Sequence, residues 1–367
     1  MAAFSAALAR GDHWGLAAKS CLERLRHDGA NVGFLYVTEA FNQNLSSILT
    51  FLRETTRIAH WTGAVVAGVM ADDDVESEGG ALAVMVGHLP EDFVRVFHGL
   101  EADGLATWLT LHRPCLVVAH GDSRTPGMAG QVTALADQTG FVVGGLVSPG
   151  GPPAQIAGQV VAGGVAGMLL AAEIPTVVGI TQGCSPLGVP HRVTASSDGV
   201  LMGLDGRPAL DALKDEAGQL IARDLRRAAG YIHVGLPVPG SDRGEYVVRM
   251  LLGIDPRQGW LAVGDSVAEG EEVLFVRRDP QTARADLERM LADVARRLDG
   301  RRPLAAFYHS CLGRGRHMFG TDAAELDLVR AALPDVPLVG FFAHGEFAGE
   351  RLYAYTGVLS VLLEPGT

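Results

Sequence analysis

A chain of 367 residues, 48% hydrophobic and 20% charged, is long enough for two domains with sizeable cores and too apolar to be disordered. A formal net charge of −12 excludes a nucleic-acid surface: Lys19 and Lys214 are the only lysines, and the densest basic run, Arg296, Arg297, Arg301 and Arg302, sits beside Asp293 and Asp299. Four scattered cysteines, Cys21, Cys115, Cys184 and Cys311, form no C-x-x-C pair, and MAAFSAALARGDHWG lacks the apolar run of a signal peptide, so reduced thiols in a cytoplasm are expected.

One pattern recurs three times along the chain: an apolar strand, a helix, a second strand with glycine, a loop and a third strand. After an N-terminal helical lead-in over residues 1–30, the first copy opens with GFLYV (33–37). Its helix lies within 42–54, where Leu45, Ile48, Leu49 and Leu52 share a face, and TGAVVAG (62–68) and ALAVMV (81–86) follow. The second copy comprises CLVVAH (115–120), a helix over 130–138, FVVGGLV (141–147) and VAGMLLA (165–171). The uncharged stretch from Gln138 to Ala172 is not a membrane span, because Pro149, Pro152, Pro153, Gln155 and Gln159 interrupt it and the repeat makes VAGMLLA a strand. The third copy has LAAFYH (304–309), a helix over 322–333, LVGFFAHGE (338–346) and TGVLSVLLE (356–364).

Between the second and third copies lies an insertion. It holds TVVGITQGC (176–184), a DG turn at 205–206 and a helix starting near Pro208, with Leu210, Leu213, Ala217 and Leu220 on its apolar face. Strands at 232–238, 245–252, 259–264 and 271–278 read as a mainly antiparallel sheet, and a helix over 282–298 follows. The fold class is therefore α/β: strand-helix-strand-strand modules in two related halves with mixed sheets and an inserted antiparallel region. The boundary between halves is placed at 228/229.

Reactive and small residues converge after strands in three loops, where open α/β sheets place ligands: TQGCSPLGVPHRVT (181–194), HSCLGRG (309–315) and GFFAHGE (340–346). A cysteine-dependent enzyme would use Cys311 as nucleophile and His309 as base, two positions apart and facing one side if the strand continues. No recognised nucleophile signature surrounds them, so the chain reads more as a binding protein than as an enzyme. A metal site would draw on His309, Cys311, His317, His344 and Glu346, which lack the compact paired spacing of zinc ligands, so neither metal nor cofactor is expected. Cys184 and Cys311 could equally be small buried fillers. The binding reading uses more of the residues. Arg314 offers a fork for a carboxylate and Glu346 an acceptor for an ammonium group; Thr181, Gln182, Ser185 and Thr194 add neutral hydrogen bonds, Gly183, Gly188, Gly313 and Gly345 let backbone approach closely, and Cys184, Ser310, Cys311 and Gly315 complete the candidate ligand-binding set. The bland alternative is that Arg314 and Glu346 pair with each other. Arg124 and His120, in the second copy, stand where Arg314 and His309 stand in the third.

Taken in order, HWTGAVVAG (60–68), TQGC-x-P-x-G (181–188), LDGRPALD (204–211), SCLGRG (310–315) and GF-x-x-x-GE (340–346) resemble the FIST family over nearly the whole chain. The resemblance implies a FIST N-terminal-like domain over 31–228, a FIST C-terminal-like domain over 229–367, and an intracellular sensory module that binds small ligands, amino acids among those suggested. Many family members are joined to kinase, cyclase or chemotaxis output domains. The length of this chain leaves no room for one, so signalling through a separate partner protein is expected, with a protein-interaction scaffold as a further alternative.

Overall fold

The computed structural model describes residues 4–99, 104–147, 151, 154–222, 231–238 and 246–365; the 228/229 boundary, Leu220's side chain and the prolines at 149, 152 and 153 lie outside them. The chain forms two compact units, Met1–Gln182 with Arg284–Thr367, and Gly183–Ala283.

The first unit is built from three modules of one topology. The first runs β1 (Ser5–Arg10), α1 (Trp14–Arg24), β2 (Val32–Thr38), α2 (Leu45–Thr56), β3 (His60–Val66), the hairpin β4 (Val69–Ala71) and β5 (Asp74–Glu76), then β6 (Ala81–Gly87). The second runs β7 (Val94–His98), α3 (Leu105–His112), β8 (Cys115–Asp122), α4 (Met128–Thr139), β9 (Gly140–Val147), β10 (Gln155–Ala157) with β11 (Val160–Val161), and β12 (Val165–Leu170). The third begins with β13 (Thr176–Gln182) and resumes after the second unit with α6 (Pro280–Leu298), β22 (Pro303–Cys311), α7 (Gly315–Phe319), α8 (Ala323–Ala332), β23 (Leu338–Ala343), β24 (Glu346–Ala348) with β25 (Arg351–Tyr353), and β26 (Thr356–Leu363). VAGMLLA is thus strand β12, and among the described residues no helix is long and apolar enough to cross a membrane.

In each module the strand before the α2-type helix pairs in parallel with the one after it (β2 with β3, β8 with β9, β22 with β23) and antiparallel with the last strand (β6, β12, β26). The edge is closed by β1, β7 or β13. The hairpins do not stay at home. β4–β5 of the first module adds to β23 of the third, β10–β11 of the second adds to β3 of the first, and β24–β25 of the third adds to β9 of the second. Each module lends a hairpin to one neighbour and receives one from the other, so the three six-stranded sheets are closed into a cycle. Each sheet also keeps its own apolar core against its helices: Leu45, Ile48 and Leu52 in the first, Val132 and Leu135 in the second, Leu287, Val294 and Val329 in the third.

The parallel pairs leave no room for a side chain at one point. Gly63 lies opposite Leu35, Gly144 opposite Ala119 and Gly340 opposite Tyr308. A Cβ at these glycines would sit 1.8, 1.9 and 1.9 Å from the opposing carbonyl oxygen, inside any van der Waals contact.

The first thirty residues correct one expectation. Ser5–Arg10 is not a helical lead-in but the edge strand of the first sheet, and only the segment after it is helical. Its alanines and serine carry no strand preference of their own; pairing with β6 and burial decide its state.

The second unit holds β14 (Cys184–Pro186), β15 (His191–Ser197), β16 (Val200–Leu204), β17 (Arg207–Pro208), α5 (Ala209–Ala222), β18 (Ile232–Pro237), β19 (Tyr246–Asp255), β20 (Trp260–Val263) and β21 (Glu272–Arg278). Its pairs are antiparallel, and because β21 pairs with both β15 and β18 the sheet closes into a barrel. Leu210 and Leu213 of α5 join Val234, Leu261 and Phe275 in its core.

Replacing Gly340 by Ala should destabilise the protein by about 3 kcal/mol in chemical denaturation, because strand separation rather than a rotamer change must relieve the clash. Gly130→Ala, on the exposed face of α4 with open space around it, should instead be neutral or stabilising by up to about 1 kcal/mol.

Candidate functional site

Strand β22 sorts its residues onto two faces. Tyr308 and Ser310 point to helix α8, where Glu325 waits: Tyr308 Oη donates to Glu325 Oε1 at 2.6 Å and Ser310 Oγ donates to Oε2 at 2.7 Å. Arg314, just past the strand, places Nε at 2.7 Å and Nη2 at 2.6 Å from the same Oε1. Arg314 is 0% exposed and Glu325 1%, so this is a buried ion pair with both carboxylate oxygens engaged. Burial works against the guanidinium's charge, but Glu325 outweighs it and keeps Arg314 firmly protonated. Burial, followed by the Glu325 charge, pushes the Tyr308 phenol far above its ordinary range. The Arg314 guanidinium also lies over the Phe319 ring at 5.2 Å, and Nη1 makes a long contact of 3.4 Å with the Tyr355 carbonyl.

His309 and Cys311 occupy the other face. Beyond them Glu346, the first residue of β24, accepts from Thr356 N at 3.1 Å and Thr356 Oγ1 at 2.6 Å, both through Oε2. Glu346 Oε1 has no hydrogen bond of ordinary geometry. Burial raises this carboxyl to about 8, against the pull of Thr356, the Cys311 thiol and Arg314, so it is largely protonated at neutral pH. Burial and the neighbouring Glu346 in turn push the Cys311 thiol well above its usual range. Burial holds His309 near 3, with His120 acting in the same direction. A protonated thiol beside a carboxyl that raises its pKa is the reverse of an activated nucleophile.

Arg314 therefore pairs with Glu325, not with Glu346. Ser310 and Arg314 share Glu325, and Cys311 adjoins Glu346. Gln182 ends β13 in register with Thr356, and its backbone N–H donates to Asp286 Oδ2 at 2.7 Å. Gly315 follows Arg314 with φ 31°, and the Gly345 carbonyl accepts from Leu146 N at 2.8 Å. Gly183 and Cys184 belong to the second unit; there Cys184 is buried in β14 and its carbonyl accepts from Tyr246 Oη at 2.6 Å. Arg124 is half-exposed beside Asp122, unlike its counterpart Arg314. Among the described residues no group of three or more His, Cys, Asp and Glu side chains is arranged to hold a metal ion.

Glu325 was not singled out from the sequence, yet a signal was present. It stands four residues before Val329, and beside Leu326, on the apolar side of α8, where an acid is out of place unless a cation meets it.

With this geometry in view, the comparisons place the chain in a family. The FIST N domain matches residues 31–207 and the FIST C domain matches residues 209–349, and the chain belongs to the FIST family. FIST domains are associated with small-ligand sensing in signal transduction. The chain is 29% identical to the Mycobacterium tuberculosis "Uncharacterized protein MT0656" over 86% of its own length and 87% of that protein. It is also 29% identical to the Mycobacterium bovis "Uncharacterized protein Mb0898c" over 87% of its own length and 86% of that protein.

Glu325→Ala should cost about 3–5 kcal/mol in denaturant unfolding, since it strands a buried guanidinium. Arg314→Met with Glu325→Leu together should cost clearly less than Glu325→Leu alone, which a double-mutant cycle over these two substitutions reads directly. Because the folded Glu346 pKa lies near 8 and its ordinary value is 4.5, its contribution to stability is complete below about 4.5 and is lost as pH rises through about 8. Denaturation midpoints of wild type should fall relative to Glu346→Gln over that window, and parallel profiles would contradict the assignment.

Proposed function

We propose that this protein is a cytoplasmic sensor for an amino acid or similar small carboxylate, acting on a separate signalling partner. The observation that carries the reading is the pair of incompletely used polar groups beside Cys311. Glu325 takes Nε of Arg314 and lies 2.6 Å from Nη2 without a hydrogen bond of ordinary geometry, Nη1 has only the 3.4 Å contact to Tyr355, and Glu346 keeps Oε1 outside any ordinary hydrogen bond. A carboxylate could engage Nη1, and an ammonium group could draw Glu346 back to its ionised form. Within the first unit the reading also draws on Gln182, whose register partner Thr356 holds Glu346, and on Ser310, Gly315 and Gly345. The buried, protonated Cys311 thiol and the neutral His309 ring speak against the cysteine-enzyme alternative.

A thermal-shift screen of amino acids and small carboxylates tests the reading. A cognate ligand at about 100 times its Kd should stabilise the protein by about 2.7 kcal/mol. Calorimetry near pH 7 in two buffers of different ionisation enthalpy should show proton release on binding an amine-bearing ligand, and Glu346→Gln should abolish that release. No stabilisation by any compound at millimolar concentration, together with a protein captured by the unliganded chain, would favour a scaffold instead. As a control, Cys311 should resist iodoacetamide at pH 7.5 in the native protein and react once unfolded.

A further inference from the structure

The three-module topology makes Tyr36, His120 and His309 equivalent, each one residue past the point where Gly63, Gly144 or Gly340 faces the first strand. Their side chains meet. His120 Nε2 lies 3.1 Å from Tyr36 Oη, the Tyr36 and His120 rings are 5.4 Å apart, and Phe341 touches all three at centroid distances of 4.9, 5.9 and 4.8 Å from Tyr36, His120 and His309. Register extends this inward face outward along each sheet. Tyr36 pairs through Ala64 with Gln155 of the hairpin lent by the second module. His120 pairs through Gly145 with Glu346 of the hairpin lent by the third. Residues directly opposite in neighbouring strands share a face, so Gln155 and Glu346 stand on the same inner faces as Tyr36 and His120.

This interior is polar and its hydrogen bonds do not close on themselves. His309 is fully buried and neither of its ring nitrogens has a partner. Gln155 is fully buried, donates from Nε2 to Gly164 O at 3.3 Å, and leaves Oε1 without a donor. Glu346 leaves Oε1 in the same condition. A buried polar atom without a partner costs about 1–3 kcal/mol, and natural cores hold few of them. Here they recur on the facing surfaces of modules that the hairpin exchange draws together.

We infer that the inward faces of the three modules enclose a binding site for a neutral hydroxyl-bearing molecule, seated against the unpartnered ring of His309. The chemistry selects the class. A neutral imidazole offers one N–H donor and one acceptor nitrogen, and an amide oxygen and a carboxylic acid add further neutral partners. Burial keeps both His120 and His309 uncharged, near 3, so the ring cluster supplies no full charge to hold an ion. A hydroxyl, which donates and accepts through one atom, complements that set. Water and the hydroxyl of a small solute share this chemistry. The site shares Glu346 with the amino-acid reading but uses none of the Arg314 contacts, and His309 and Gln155 carry it without a carboxylate ligand.

Long-range proton–nitrogen correlation spectra of the full chain, labelled with 15N-histidine, test it. The expected result is a neutral His309 ring whose acceptor nitrogen is shifted as in a hydrogen-bonded imidazole, with His309→Leu lowering the denaturation midpoint. An acceptor nitrogen at the position of a free imidazole overturns the inference, and a His309→Leu variant more stable than wild type would say the same, since an unpartnered ring gains nothing from staying polar. Native mass spectrometry of the purified chain then separates the sources: an added small mass that disappears on unfolding identifies a solute, and its absence beside a hydrogen-bonded His309 identifies water. The wild-type spectrum stands alone if the variant fails to fold.

Discussion

The exchange of hairpins between modules is the constraint on which the first unit depends. A six-stranded sheet needs its outer strands, and in each of the three sheets two of those strands are supplied by another module. The edge that would otherwise expose unpaired backbone groups on β3, β9 or β23 is covered by β10, β24 or β4. No module can complete its own sheet, so the cost of ordering each is offset only when all three are in place. The close backbone approach at Gly63, Gly144 and Gly340 belongs to the same arrangement, since these glycines sit on the strands that receive the hairpins.

The candidate site follows from this closure. Glu346 opens the hairpin that the third module lends to the second, while Thr356, which holds its carboxylate, begins the strand that returns to the third sheet. The Arg314–Glu325 pair lies on the other face of β22, inside one module, and serves a different end: it ties helix α8 to the strand and fixes the turn that follows Cys311. Two charged residues that look alike in sequence, both in glycine-rich loops, thus have unlike environments. One carboxylate is paired with a guanidinium, and the other is held protonated by burial.

Much of this was legible from residues alone. The three copies of the strand-helix-strand pattern were readable because Leu45, Ile48, Leu49 and Leu52 keep helical spacing and because VAGMLLA matches the last strand of the third copy. The antiparallel insertion was readable from strand-length apolar runs between turns. The first strand was not, because SAALAR has no β-branched or aromatic residue and owes its state to pairing with β6. The hairpin exchange was also hidden: short strands such as Val69–Ala71 carry no information about which distant strand they join. For the same reason Arg314 could be read as facing Glu346, when Glu325, eleven residues on and inside a helix, meets it. The equivalence of His120 and His309 was visible in the sequence, but that of Tyr36 with them needed the strand register.

The closure of three modules by exchanged hairpins is tested most directly by native-state hydrogen exchange of the full chain, followed by mass spectrometry across a series of low denaturant concentrations. The account predicts that amides of β2, β8 and β22 are released through one shared opening with a common free energy and denaturant dependence. Exchange of any one of these strands through a separate opening of lower free energy, while the other two remain protected, would contradict it.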